Sequence, residues 1–220
     1  MLIITNLFSF VYKGFVMCGH VEIGEQKDIK IIKKDGGSYS SKSNTAGNPG
    51  SMLPVVTDAA PGKVQQFRWG LLSEEDDKIH SKNKHARIES LFHVPLWRQL
   101  IGRKHCAVRI QAFFEYNAEQ ERTYRIERAD GQPLYIAGLW DIWFDIKTGI
   151  LLPTFTMITM PPNSMMAQVH DRMPAMIERN AVKIWINSSY TAEQRVDWLK
   201  NNPCLPETLK ITVHKDHKKP

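Results

Sequence analysis

Thr154-Phe155-Thr156-Met157-Ile158-Thr159-Met160 is the stretch on which the fold turns. Hydroxyl and apolar side chains alternate with a period of two from Thr154 to Met157, the pattern of a β-strand with one buried face. Pro161-Pro162 stops it, because proline has no amide hydrogen to give to a sheet, and Asn163 is placed to cap a short helix running toward His170. Toward the N-terminus the spacing predicts further strands over 134–143, after the turn Ala129-Asp130-Gly131, over 122–127 and 107–116, and over 64–69, ending at Gly70. Residues 94–101 read as a helix with Pro95 in its first turn and Gly102 at its end. Thr191-Ala192-Glu193-Gln194 has capping-box spacing, which predicts a helix through Lys200. A last strand is expected over 209–213. Residues 35–51 read as a polar surface loop and 73–84 as a charged connection. The result is a β-rich α+β chain with no internal repeat and no domain boundary.

Composition agrees. The 220 residues are 42% hydrophobic and 24% charged, the profile of an ordinary globular domain, which excludes disordered, collagenous and coiled-coil classes. Lys plus Arg number 29 against 23 Asp plus Glu, a net charge of +6 that is basic but balanced. The 3 cysteines, Cys18, Cys106 and Cys204, have no Cys-x-x-Cys pair among them, so neither a zinc site nor a disulfide framework is expected, and a reducing cytoplasmic setting fits. No run reaches the roughly 20 apolar residues of a membrane helix. The apolar leader 1–16 has no basic segment ahead of it and Lys13 interrupts it, which argues against a secretory signal. Bulky Val16-Met17 argues against a lipoprotein signal ending before Cys18. Residues 214–220 read as a basic tail.

No phosphate-binding glycine loop, His-Glu-x-x-His or Gly-x-Ser-x-Gly occurs, so the search narrows to isolated polar groups. Each has a bland explanation. Cys18 is a candidate core residue, since cysteine is among the most often buried types. Glu115, inside Phe113-Phe114-Glu115-Tyr116, fits an edge strand facing water. His170 fits a helix end whose carbonyls it satisfies. Arg87 and Glu89 fit a surface ion pair worth under about 1 kcal/mol.

Taken in order, however, these residues resemble a family. Met17-Cys18-Gly19, Arg68-Trp69-Gly70-Leu71, Ala86-Arg87-x-Glu89, a strand from Cys106 to Phe114-Glu115, Ala137-Gly138-Leu139-Trp140, Thr154 to Thr159 and His170-Asp171-Arg172-Met173-Pro174 are similar to the SOS-response-associated peptidases, the abasic-site crosslinking proteins. The resemblance implies one domain over 17–213, with a mostly antiparallel, barrel-like sheet core flanked by short helices. It also implies a protein that binds single-stranded DNA containing an abasic site and joins itself to the ring-opened sugar, as a monomer without metal or cofactor.

In that family the cysteine becomes N-terminal, and the chemistry explains why. A free α-amine, with a pKa of about 7.7 to 8.0, condenses with an aldehyde near neutral pH. The thiolate of the same residue then closes a thiazolidine on the imine carbon. The resemblance therefore assigns catalysis to Cys18, Glu115 and His170. His85 and Glu89 support the site, and Arg87, Trp69, Arg68 and Arg172 meet DNA, with Trp69 against a base. Because Cys18 is preceded by 17 residues, the reading expects either a start at Met17 or removal of the leader, which the family is proposed to cut itself.

Three departures stand out. His20 replaces an arginine, His85 replaces the asparagine ahead of Ala86-Arg87, and Arg109-Ile110-Gln111-Ala112 replaces Pro-Ala-Asp-Gly. Two rival functions stay open at this point: a noncovalent single-strand-binding module, and a thiol peptidase using Cys18 and His170.

Overall fold

The structure, a computed structural model, describes residues 19–24, 46–80 and 82–214, with the backbone alone of 29–32 and 38–41. Cys18, the leader and the tail beyond His214 lie outside the described residues. Strands run in the order β1 (His20–Glu22), β2 (Ile29–Ile32), β3 (Ser38–Ser41), β4 (Ala46–Gly47), β5 (Met52–Thr57), β6 (Ala60–Trp69), β7 (His85–Arg87), β8 (His105–Ile110), β9 (Ala112–Asn117), β10 (Arg122–Arg128), β11 (Leu134–Asp145), β12 (Ile150–Met160), β13 (Met173–Pro174), β14 (Met176–Ile177) and β15 (Leu209–Val213).

A barrel forms because β12 pairs with both β11 and β6, closing the ring β12-β6-β5-β8-β11. Only the β6–β12 contact in that ring is parallel. β7, β13 and β14 extend the barrel, with β7 running parallel beside β12. A second, antiparallel sheet has the order β15-β10-β9-β1-β4. The domain is therefore mostly antiparallel and barrel-like, as the resemblance implied.

Sequence expectation and structure differ at several places. β12 was expected to bury one face; residues Thr154 to Met160 are buried on both. Thr154 tolerates this by bonding to backbone, whereas Thr156 Oγ1 is buried without a partner among the described residues. Thr154 Oγ1 accepts from the Leu72 amide at 3.2 Å and donates to the Asp141 carbonyl at 3.3 Å. The stretch 107–116, read as one strand, breaks at Gln111. There the chain leaves the barrel and enters the second sheet, the Gln111 amide donating to Glu22 O. The segment 35–51, read as a loop, contains β3 and β4.

The helices expected over 94–101 and after Thr191 are present, and a further short one was not foreseen. α1 (Pro95–Leu100) carries its proline in the first turn and buries Trp97 and Leu100. α2 (Val182–Trp185) is a single turn, and α3 (Ala192–Asn201) begins with the full capping box of Thr191 and Gln194. Among the described residues no helix is long and apolar enough to cross a membrane.

The buried core includes Leu53, Val55, Val108, Leu139, Phe155 and Met157, each fully buried, and covers both faces of the barrel sheet. Gly138 is obligatory where β11 meets β12, since a Cβ there would stand 2.6 Å from Thr156 O and 2.9 Å from Cys106 Sγ. Gly70 ends β6 at φ 112°, a backbone state that side-chain-bearing residues rarely take.

Candidate active site

The site forms where the second sheet meets the end of the barrel at which β12 finishes. β1 and β9 are antiparallel, with His20 opposite Phe114 and Val21 opposite Phe113. The next residues at that end of the pair are Gly19 and Glu115. Along β9, Phe113, Glu115 and Asn117 share the inward face, and Glu115 is 1% exposed. The edge-strand expectation for Glu115 is therefore corrected. β9 is flanked by β1 and β10, so alternation sends this carboxyl inward.

β7 delivers His85 and Arg87. Its register sets His85 beside Met157 and Arg87 beside Thr159. His85 Nε2 is sealed from solvent and has no hydrogen-bond partner among the described residues. Burial, then the positive charge of Lys84, then His170, push the His85 pKa down to about 3, so the ring is neutral at physiological pH. A buried polar atom without a partner is rare enough to need a reason.

His170 follows a 3-10 turn, Met166–Gln168, which Asn163 caps as expected by accepting from the Met166 amide at 2.9 Å. His170 is 8% exposed. Its Nδ1 accepts from the Arg172 amide at 3.0 Å and also lies 2.8 Å from Asp171 Oδ1. These contacts require opposite states. The amide needs a bare Nδ1, whereas Asp171 needs a proton on it. Burial lowers the His170 pKa and Asp171 opposes that, so the neutral ring has two tautomers, each with a ready partner.

Sequence reasoning missed Asn117. Its Nδ2 donates to Val169 O at 3.0 Å and Gln168 O at 3.1 Å, and its Oδ1 accepts from the Gln120 amide at 2.9 Å. It thereby ties the strand of Glu115 to the segment carrying His170. The strand period was the available signal, since Asn117 lies two residues past Glu115. A cleft of about 270 Å³ opens beside this tie, lined among others by Tyr116, Asn117, Gln168, His170 and Asp171.

The residues expected to meet DNA separate into two kinds. Arg87 is exposed at the end of β7, and no ion pair to it occurs among the described residues. Trp69 is fully buried, its Nε1 donates to Lys84 O at 2.9 Å and its ring lies 5.9 Å from that of His85. It has no open face for a base, so that expectation is corrected: Trp69 is the wall behind His85. Arg68 turns away, donating to His80 O at 2.8 Å and Gly70 O at 3.2 Å. Arg172 is paired to Glu89 rather than free. His20, where the family pattern has arginine, bonds Asn48 Oδ1 at 2.9 Å and lies against Phe114 with ring centroids 4.9 Å apart. Cys106 and Cys204 are buried, and burial raises both thiol pKa values, which keeps them unreactive.

Comparison with known proteins follows the same lines. Residues 17–216 match the family described as SOS response associated peptidase (SRAP). The chain is 31% identical over 175 residues to the abasic site processing protein YobE of Bacillus subtilis (strain 168), spanning 77% of this chain and 78% of that protein. It is 27% identical over 189 residues to the abasic site processing protein HMCES of Xenopus tropicalis, spanning 70% of this chain and 56% of that protein. A protein of known crystal structure from Bacteroides thetaiotaomicron shares the fold with a TM-score of 0.71 at 26% identity over 78% of each chain.

Proposed function

Since the chain belongs to the SOS response associated peptidase family, we propose that it processes abasic sites in DNA, and does so by forming a thiazolidine between Cys18 and the ring-opened sugar in single-stranded DNA. The carrying observation is the β1–β9 register. It brings the chain that leaves Cys18 alongside Glu115, with His85 and His170 on neighbouring segments.

The reaction balances simply. The Cys18 α-amine adds to the sugar aldehyde, and loss of one water gives an imine. The thiolate then adds to the imine carbon, the nitrogen takes up a proton, and a five-membered ring results. Glu115 carries protons between amine, carbinolamine and water. His170 assists opening of the sugar ring, its two Nδ1 partners letting Nε2 either give or take a proton. The orphaned His85 Nε2 supports the reading, because a polar atom of the cysteine or the lesion entering the site would satisfy it. Exposed Arg87 is suited to a DNA phosphate.

The chemistry requires a free amine on Cys18, hence a chain begun at Met17 and trimmed of it, or one cut after Met17. Protein begun at Met17 is expected to form a denaturation-resistant adduct with single-stranded DNA bearing one abasic site. Cys18→Ala is expected to abolish the adduct and keep salt-sensitive binding. An adduct of equal yield with undamaged DNA, or one that survives Cys18→Ala, would end the proposal.

A further inference from the structure

The outer face of the second sheet carries a run of rings with no part in the chemistry above. Alternation turns Val21, Phe113 and Glu115 inward, so His20 on β1 and Phe114 and Tyr116 on β9 face outward. Register sets His20, Phe114, Arg125 and Thr212 in one row across β1, β9, β10 and β15, and His214, two residues past Thr212, shares their face. The rings touch. The centroids of His20 and Phe114 are 4.9 Å apart and tilted at 52°, and those of Phe114 and His214 are 4.8 Å apart at 71°. Neither pair is stacked face to face, so the two contacts do not use up the ring faces on one another. His20 is held by Asn48 Oδ1 at 2.9 Å, and the His214 amide donates to Thr123 O at 2.8 Å. Tyr116 is 53% exposed and also lines the cleft beside His170, so the run begins at the same end of the sheet as the site.

We infer that this face is a stacking platform for nucleobases, on which His20, Phe114, Tyr116 and His214 receive bases of the single strand that leaves the lesion. The inference rests on the proposed single-stranded DNA partner and extends its contact beyond the reacting nucleotide. Every base has a π face, so rings hold a strand whatever its sequence, and a sheet needs only two or three of them to do so. Phosphate contact is the weaker candidate here, because the cations of this face already have carboxylates. Arg125 is paired with Glu22 at 2.9 Å and with Glu127 at 2.6 Å, and Lys210 lies 3.8 Å from Glu127. A protein partner is also a poor match, since the centre of a protein interface is depleted of charged residues, whereas the rings here border this ion-paired cluster. Strands about 4.8 Å apart, with side chains about 7 Å apart along each face, present rings at intervals that successive bases of an extended strand can reach.

The test uses the full chain and two strands of equal length, read by anisotropy over a salt series. One is an undamaged single-stranded oligonucleotide, and the other is built of tetrahydrofuran spacers, which keep the phosphates, lack bases and cannot open to an aldehyde. Tyr116→Ala and His214→Ala, each first checked for an unchanged melting temperature, are expected to weaken binding of the base-bearing strand, Tyr116→Ala by about tenfold, with the salt slope unchanged. Both should bind the base-free strand within about twofold of the unsubstituted protein. Tyr116→Trp is expected to keep or tighten the affinity for bases. With the unsubstituted protein, a strand carrying 5-iodouracil is expected to photocrosslink to Tyr116, Phe114 or His214, mapped by peptide mass. Unchanged affinity in both alanine variants, equal losses on the two strands, or crosslinks that all map off this face overturn the inference. Should protein begun at Met17 form the abasic adduct while Tyr116→Ala binds bases as before, the platform fails and the crosslinking reading stands. A selective loss of base binding without any adduct upholds the platform and ends only the crosslinking reading. Failure of the unsubstituted protein to bind either strand overturns the inference and leaves the face to a protein partner.

Discussion

The guanidinium of Arg172 grips the carboxylate of Glu89 at two points, with N to O distances of 2.7 and 2.9 Å. The same Nη2 also donates to Thr159 O at 2.8 Å. Arg172 pulls the Glu89 pKa below the ordinary carboxylate range. This clamp joins the turn after β7 to the segment after His170, and of the two arginines it leaves Arg87 without an ion pair among the described residues.

Arg172→Ala is accordingly expected to destabilise the fold by about 1 to 3 kcal/mol, because it strands the carbonyl of buried Thr159 while the half-exposed Glu89 carboxylate is left to water, with little change in the salt dependence of DNA binding. Arg87→Ala is expected to leave stability within about 0.5 kcal/mol and to reduce the slope of log affinity against log salt by about 0.7, the share of one phosphate on a single strand. Thermal melts and anisotropy titrations over a salt series measure both. Equal slope losses in the two variants would mean that the clamp opens on DNA.

Asn117→Ala removes the donors to Gln168 O and Val169 O. The expected cost is about 1 to 3 kcal/mol of stability, and adduct formation below the melting range should slow by about tenfold as His170 loses its register with Glu115. Asn117→Asp keeps the acceptor for the Gln120 amide but not the donors, so it should not restore the rate. Rescue by Asp would locate the role of this residue in the 117–120 turn alone.

Stability should fall on mild acidification through His85. In the folded protein its pKa is about 3, whereas an unfolded chain has a histidine near 6.5, so between those values only the unfolded state takes up the proton. The stability tied to the neutral ring is fully present above about pH 6.5 and is lost progressively as pH falls. At pH 5 the loss is of order 2 kcal/mol. His85→Asn, which cannot titrate, should flatten the melting temperature between pH 7 and 5. If this variant loses stability with acid as steeply as the parent protein, His85 is not the group responsible.

Much of this fold could be read from local pattern. Thr191 with Gln194, Pro95 and the 209–213 strand each depend on neighbours in sequence, and each came out as expected. What local pattern misses is pairing. Nothing around Thr154 announces that both faces of β12 will be covered, because a buried threonine is satisfied by partners such as Leu72, which are distant in sequence. Residues 107–116 keep one continuous β-like composition while changing sheets at Gln111. The site shows the same division. Glu115, His170 and Arg87 stand out by residue type and order, whereas Trp69 looked like a stacking platform until its burial was known. The Arg172–Glu89 clamp and the Asn117 tie exist only in three dimensions.

Glu115→Gln asks whether the carboxyl is chemistry or scaffold. The side chain is buried on a central strand of the second sheet, and glutamine has nearly its shape while losing its capacity to take and return a proton. A role in proton transfer should therefore cost about a hundredfold or more in the rate of adduct formation, the usual contribution of a placed acid or base. Noncovalent affinity for the same oligonucleotide should change by less than about twofold, since no phosphate or base contact is removed. Reversal of the adduct should slow as well, because the same proton has to travel back. Rates from denaturing gels, affinity from anisotropy with Cys18→Ala as background, and a melting curve separate these quantities. Parallel losses of binding, rate and melting temperature would leave Glu115 as a packing element, and the proton relay would have to lie elsewhere.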